Sequence, residues 1–110
     1  MKLAVVGSRS VGQIEIHAYI PDGVTEIVSG GASGGDALAR AYAKEQGILL
    51  TEFLPEYARY GRGAPYRRNR QIAEYADAVL AFWDGESRGT KHVVECFRRL
   101  GKPVRVILIE

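Results

Sequence analysis

The sequence predicts one α/β domain over residues 1–110, built on a doubly wound, Rossmann-like parallel sheet of five strands. Short apolar runs rich in β-branched residues alternate with segments of helical period along the chain, which is the pattern of a parallel sheet with helices on both faces. The run at 78–83 is almost continuously apolar, as in a central strand buried on both sides. A length of 110 residues is enough for one domain with its own core.

Each element follows from its own stretch of sequence. The strands are predicted at the apolar runs 3–7, 24–30, 48–55, 77–85 and 104–110. Apolar residues at helical spacing predict helices at 10–20, 36–46, 66–75 and 90–100, of which the first is weak. Gly47 is typical of the residue that ends the second helix. The polar and aromatic segment 56–65 is predicted to be a loop, long enough for either a mobile lid or a fixed dimer contact.

Composition and charge narrow the class of protein. The net charge of +2 is too small by itself to indicate a nucleic-acid-binding protein. The longest apolar runs are far shorter than the ~20 residues that span a bilayer, and a strand at the very start argues against a signal peptide. A single cysteine fits a reducing compartment. We therefore expect a cytoplasmic protein without a membrane segment, and we predict no metal site because neither His17 nor His92 has a companion at ligand spacing.

Glycine and hydroxyl residues follow several of the predicted strands, at the edge where doubly wound sheets bind ligands. Four glycines fall within 30–35, and a second turn, 84–90, also leads into a helix. Free amides and the helix dipole favour an anion at such an N-terminus, and glycine lets a phosphate approach the backbone. The prediction is that two helix ends cradle one phosphorylated ligand. The alternative is a pair of ordinary βα turns, with Asp36 and Thr90 as capping residues.

Arg68 stands at the start of the third helix on the same face as Ile72 and Tyr75, which are predicted to be core residues. A cation there opposes the helix dipole, so its position calls for an anionic partner. A bound phosphate or carboxylate would serve, since a guanidinium makes two parallel hydrogen bonds to either. The alternative is a buried pair with Asp36 or Asp84.

The last helix carries an apolar stripe of Val93, Cys96, Phe97 and Leu100. Cys96 is therefore predicted to be an inert core thiol. Glu95 is predicted to face solvent, since it lies about 200° around the helix from Val93 at ~100° per residue.

Four motifs in order, "GSRS", "SGGASGGDALA", "YGRGAPYRRN" and "AFWDGESRGT", resemble the SLOG superfamily and specifically its YspA-like branch. Departures from the family pattern are Ser33, Gly35 and Pro65, where Arg, Ala and Gly are common. The resemblance implies a Rossmannoid fold that binds nucleotides or nucleotide-derived molecules, often as a homodimer.

A related family, the LOG-type phosphoribohydrolases, cleaves nucleoside monophosphates to free base and ribose 5-phosphate. Arg68 and Asn69 fall where that family has its "RK" motif, and Gly89 and Thr90 match its "GT". Its catalytic glutamate is replaced here by Val93, and an apolar side chain cannot stabilise the oxocarbenium-like charge of glycosidic cleavage. The resemblance therefore implies the phosphate cradle without that chemistry. Taken together, the predicted ligand- and phosphate-binding residues are Gly7, Ser8, Arg9, Ser29, Gly30, Gly31, Ser33, Gly34, Asp36, Arg68, Asn69, Asp84, Gly85, Ser87, Gly89 and Thr90.

The sequence is compatible with three functions, and it identifies no catalytic residue. The leading prediction is a binding module for a nucleoside monophosphate or an ADP-ribose relative; a standard NAD site is disfavoured because Arg9 stands where the second glycine of G-x-G-x-x-G belongs. The second is a hydrolase acting on a nucleotide, with Glu56, Asp36 or Asp84 in the cleft. The third is single-strand nucleic acid binding, in which arginines interleave with tyrosines. Those arginines and tyrosines are Arg59, Arg62, Arg67, Arg68, Arg70, Tyr57, Tyr60 and Tyr66.

Overall fold

Five parallel strands form a single sheet in the order β3-β2-β1-β4-β5 in the computed structural model, which describes residues 1–12, 14–31 and 35–109. The strands are β1 (Lys2–Gly7), β2 (Glu26–Ser29), β3 (Leu49–Glu52), β4 (Ala78–Trp83) and β5 (Val104–Leu108). In the registers, Leu3 pairs with Ile27 on one side and with Ala78 on the other. The predicted Rossmann-like α/β class is confirmed. The strand order reverses between β1 and β4, and this reversal fixes where a ligand cleft is expected.

Helices cover both faces of the sheet. The helices are α1 (Gly35–Gln46), α2 (Tyr57–Tyr60), α3 (Ala64–Tyr75) and α4 (Arg88–Arg99). On one face α3 and α4 pack through Ile72 and Phe97, while α1 packs on the other face through Ala39 and Tyr42. Within the described ranges, no helix is both long enough and apolar enough to cross a membrane.

The predicted helix at 10–20 is wrong, because the described residues of this stretch, 10–12 and 14–20, form no helix other than a short 3₁₀ turn, Ile16–Ala18. Gly12 and the β-branched residues of this stretch lower its helix propensity, and so short a segment does not nucleate an α-helix unaided. Burial fixes its shape instead, since Ile16 is 5% exposed and the Tyr19 ring packs edge-on against Phe82 at 5.6 Å between centroids.

The predicted loop at 56–65 is also wrong. This segment forms α2, then a 3₁₀ turn at Gly61–Gly63, and α3 begins at Ala64, two residues before the predicted start. Gly61 has φ of +58° between the two turns, and Pro65 stands in the first turn of α3, where its missing amide hydrogen costs no hydrogen bond. Glycine and proline here connect consecutive helical turns, so the segment is helical and not a loop.

Lys102 lies in the connection between α4 and β5, and its side chain contacts the C-terminal end of α3. Its ammonium donates to the carbonyls of Ala73, Glu74 and Ala76 at 2.7, 3.0 and 2.8 Å. These carbonyls lie at the C-terminal end of the helix, where a cation is favoured by the dipole. The long Lys102 side chain therefore takes the place of a capping residue.

We expect Lys102→Met to lower the free energy of unfolding by about 1–2 kcal/mol, because three carbonyls lose a charged donor. Urea denaturation measures this loss. Lys44→Met is the matched control: Lys44 also lies in the last turn of a helix, α1, but its side chain is exposed and no hydrogen bond to a carbonyl is described for it. Equal losses in the two variants would show that general dipole attraction, and not these hydrogen bonds, stabilises α3.

Candidate functional site

A cleft of about 660 Å³ opens at the carboxyl ends of β1 and β4, where the strand order reverses. Its walls come from the segment after β1, the start of α1, the stretch from α2 into α3, and the first turn of α4. The sequence-predicted residues that line it are Gly7, Arg9, Gly30, Asp36, Arg68, Asn69, Asp84, Ser87, Gly89 and Thr90. Most of the predicted site therefore converges on one cavity.

The structure does not bring Ser8, Ser29, Gly31 or Gly85 to the cleft wall. Ser8 is buried, and its hydroxyl accepts from the amide of Asp84 at 3.2 Å. The buried hydroxyl of Ser29 accepts from the amide of Gly31 at 3.4 Å. Both hydroxyls thus satisfy the protein's own backbone. Gly85, with φ of +84°, shapes the turn after β4. The predicted residues Ser33 and Gly34 lie outside the described residues.

Several lining residues are absent from the predicted set. They are Val6, Ser10, Tyr57, Arg62, Pro65, Tyr66, Ile72 and Val93. The sequence indicates Tyr57, Arg62 and Tyr66 as nucleic-acid contacts, and Tyr57 also as a ring on which a base can stack. The signal that points to them is topological: they follow β3, and the carboxyl ends of parallel strands meet at one edge of the sheet.

The glycines after β2 are crowded by the protein itself. A β-carbon added at Gly30 would lie 2.5 Å from Nη1 of Arg68, and one at Gly31, where φ is +72°, would overlap the Leu54 side chain. A β-carbon at Gly35 would overlap the main chain of Gly7. Much of the close approach that these glycines permit is therefore internal, between turns of the same edge.

Arg68 turns inward from α3, as predicted. Its Nη1 donates to the carbonyl of Gly30 at 2.8 Å, and its Nε donates to Oδ1 of Asn69 at 2.9 Å. Burial lowers the pKa of the Arg68 guanidinium, while the nearby charge of Asp36 opposes this shift. No hydrogen bond is described for the second amine, Nη2. Arg68 is thus held on two sides while it lines the cleft.

The N-terminus of α4 is partly capped. Ser87, and not Thr90, is the capping residue, since its hydroxyl accepts from the amide of Thr90 at 3.4 Å. Oδ1 of Asp84 accepts from the amides of Glu86 and Ser87 at 2.8 and 2.7 Å, and these hydrogen bonds lower the pKa of Asp84. In the described part of the chain, no side chain accepts from the amide of Gly89, which lines the cleft. This end of α4 has no acidic residue in its first turn.

The N-terminus of α1 differs from that of α4. The helix begins at Gly35, so Asp36 lies inside its first turn, where it is 6% exposed and lines the cleft. A carboxylate in this place already interacts favourably with the positive end of the helix. The described parts of the two helix ends therefore differ, since the first turn of α1 contains a carboxylate and that of α4 does not.

The last helix presents an apolar residue to the cleft. Val93 is 2% exposed and Glu95 is exposed to solvent, both as predicted. That Val93 also lines the cleft was not predicted. Cys96 is buried, and burial raises the pKa of its thiol, which agrees with an inert core residue. Leu100 is the exception, because it is 50% exposed and does not continue the stripe.

Among the residues that the structure describes, no group of three or more His, Cys, Asp and Glu side chains is placed to hold a metal ion. Comparisons with protein-family models, with curated proteins and with solved structures find no match to this chain. The SLOG resemblance stays a prediction.

Proposed function

We propose that this protein binds a nucleotide, or a nucleotide-derived phosphorylated molecule such as an ADP-ribose relative, in the cleft between the ends of β1 and β4. The observation that carries the proposal is the set of three arginines, Arg9, Arg62 and Arg68, which line the cleft from three separate segments. Arg9 and Arg62 are exposed, and no ion pair is described for either. Guanidinium groups at an accessible cleft favour a phosphate-bearing ligand.

The phosphate is best accommodated beside the first turn of α4. Ser87, Gly89 and Thr90 line the cleft there. Amides at a helix N-terminus bind anions because the donors and the dipole act in the same direction. Cationic side chains from the facing wall add charge-assisted hydrogen bonds.

Two tyrosine rings support a nucleotide over a simple anion. Tyr57 and Tyr66 line the same cleft and are 59% and 48% exposed. An exposed ring in a cleft is a surface on which a base can stack, with about 1–3 kcal/mol for each stacked base. Asp36 supplies a carboxylate that can accept hydrogen bonds from sugar hydroxyls.

Hydrolysis is the second candidate, and Asp36 is the observation that favours it, since this buried carboxylate lines the cleft beside Arg68. Asp84 is a poor general acid, because backbone hydrogen bonds lower its pKa. Glu56 is exposed and does not line the cleft. An elevated pKa for Asp36, with turnover of a nucleotide, would support this candidate over simple binding.

Single-strand nucleic acid binding is less well supported. The ring of Tyr60 is contacted by the protein's own guanidinium groups, with Arg67 4.4 Å and Arg59 5.2 Å from its centroid. A ring so covered offers less surface to a base. If oligonucleotides bind nonetheless, their affinity should fall steeply with salt concentration.

Calorimetric titration with AMP, GMP, CMP, UMP and ADP-ribose, each beside its unphosphorylated nucleoside, tests the proposal. We expect at least one phosphorylated ligand to bind about tenfold more tightly than its nucleoside, since one charge-assisted contact is worth that much. Chromatography of the same mixtures after incubation shows whether the ligand is cleaved. Nucleosides that bind as tightly as their monophosphates, or no binding by any of the ligands, would contradict the proposal.

A further inference from the structure

We propose that Asn69 and His92 are positioning residues for Arg68, and that protonation of His92 lowers the affinity of the cleft for a phosphorylated ligand. The inference rests on the proposed function for its effect on the ligand. The arrangement of side chains that carries it is independent of any ligand. His92 lies on α4 and does not itself line the cleft.

Three hydrogen bonds join Gly30, after β2, to His92 on α4 through Arg68 and Asn69. Nη1 of Arg68 donates to the carbonyl of Gly30 at 2.8 Å, Nε of Arg68 donates to Oδ1 of Asn69 at 2.9 Å, and Nδ2 of Asn69 lies 3.1 Å from Nδ1 of His92. A guanidinium can only donate, so the atom of Asn69 that faces it must be the oxygen. The amine of Asn69 consequently faces the histidine.

This polarity determines the state of His92. The amine of Asn69 is a donor, so Nδ1 of His92 must accept, which requires a neutral ring with its proton on Nε2. Protonation of Nδ1 would place two donors 3.1 Å apart. Rotation of the Asn69 amide would relieve that contact, but it would turn the amine towards Nε of Arg68. In either arrangement one hydrogen bond of the chain is lost, and Arg68 is less firmly held.

The groups around His92 favour its neutral form. On α3, the Tyr66 ring meets the imidazole edge-on at 4.8 Å between centroids, and Arg70 repels a charged ring. On α4, Arg99 also repels it, Glu95 attracts it, and Sγ of Cys96 lies 3.8 Å from Nε2. Burial is the largest influence, and the net effect lowers the pKa of His92.

We expect the hydrogen bond between Asn69 and His92 to be lost at low pH and not at high pH. Because the folded-state pKa is below the ordinary value of about 6.5, the neutral ring and its hydrogen bond are fully present at neutral pH. They are lost as the pH falls through the lowered pKa. Burial raises the pKa of the Cys96 thiol, so the thiol stays protonated throughout this range. We therefore expect the side chain of Arg68 to report the titration of His92.

The first test uses NMR on the protein without ligand. In the wild type, the Nε–H signal of Arg68 should shift with pH at the same midpoint as the His92 ring. His92→Gln should abolish this shift, since a glutamine carbonyl can accept from Asn69 and does not titrate. His17→Gln removes the other histidine, which is exposed and contacts Gln46 and Glu45, and should leave the Arg68 response intact. An Arg68 signal that ignores the His92 titration, or that responds equally in His92→Gln, overturns the inference.

The second test measures AMP binding in the wild type and in His92→Gln, from about pH 7.5 down to a pH below the midpoint that NMR gives for the His92 ring. The phosphate group itself takes up a proton near pH 6, and this affects both proteins equally. The wild type should lose about fivefold more affinity than His92→Gln, as expected for one hydrogen bond. Identical pH profiles would overturn the inference and leave the proposed function intact. Absence of AMP binding at every pH would count against the proposed function, while the NMR result would still decide the role of His92.

Discussion

Replacing Gly7 by alanine is expected to lower the free energy of unfolding by about 2–3 kcal/mol. Gly7 is the last residue of the central strand β1, and it packs against Gly35, the first residue of α1. An added β-carbon would lie 2.9 Å from Cα of Gly35 and 3.1 Å from the carbonyl oxygen of Phe82. Both neighbours are main-chain atoms, so neither can move aside by a change of rotamer. Relief would require α1 to move away from the sheet, and chemical denaturation measures the cost.

Gly12→Ala is the matched control for Gly7→Ala. Gly12 lies in the connection that follows the same strand, but no described atom is within 4 Å of its added β-carbon. We expect a change within about 0.5 kcal/mol there, as for most exposed positions. A loss of stability at Gly7 no larger than that at Gly12 would mean that α1 and β1 are not packed as closely as the structure shows.

The sheet could be predicted from the sequence because its signal is local. A run such as "AVLAFW" indicates a strand buried on both faces, and β4 is indeed buried along nearly its whole length. The stretch 10–20 carries no such signal, since its shape depends on where Ile16 and Tyr19 pack. The helix α2 has no local sequence signal either, because its four residues form a single turn with no buried side chain.

The candidate site could be predicted only to the level of segments. Parallel strands bring their carboxyl ends to one edge, so the sequence predicts that Gly30, Arg68 and the start of α4 lie together, and all of them line one cleft. The pairings between these segments depend on distances that the sequence does not contain. Nothing local indicates that the hydroxyl of Ser8 turns towards the amide of Asp84, or that the Gly30 carbonyl, 38 residues before Arg68, accepts from its guanidinium.

These contacts give the glycines at 30 and 35 a structural role that the sequence does not indicate. In the sequence, glycines before a helix indicate a place for a ligand. In the structure, Gly30 leaves room for the Arg68 guanidinium, and Gly35 leaves room for Gly7. In the described part of this turn, Gly30 thus helps to hold Arg68, and under the proposed function Arg68 is the residue whose change tests the cleft most directly.

Arg68→Ala is expected to weaken the binding of a nucleoside monophosphate by about tenfold to a hundredfold, the loss of one or two charge-assisted hydrogen bonds. Binding of the parent nucleoside should change much less, because it carries no phosphate. Arg105→Ala is the matched control, since Arg105 lies on β5 outside the cleft and its guanidinium stacks on Tyr19. Calorimetry of both variants with AMP and adenosine measures the difference.

Arg68→Lys separates charge from geometry in the same assay. A lysine keeps the positive charge but cannot donate to Gly30 and Asn69 through a planar fork, so we expect it to restore only part of the lost affinity. Two results would assign Arg68 a purely structural role. One is equal weakening of AMP and adenosine in Arg68→Ala. The other is a loss of folding free energy with no change in the AMP-to-adenosine ratio. Because the guanidinium both supports the Gly30 turn and lines the cleft, the ratio of the two affinities, and not either affinity alone, reports contact with the phosphate.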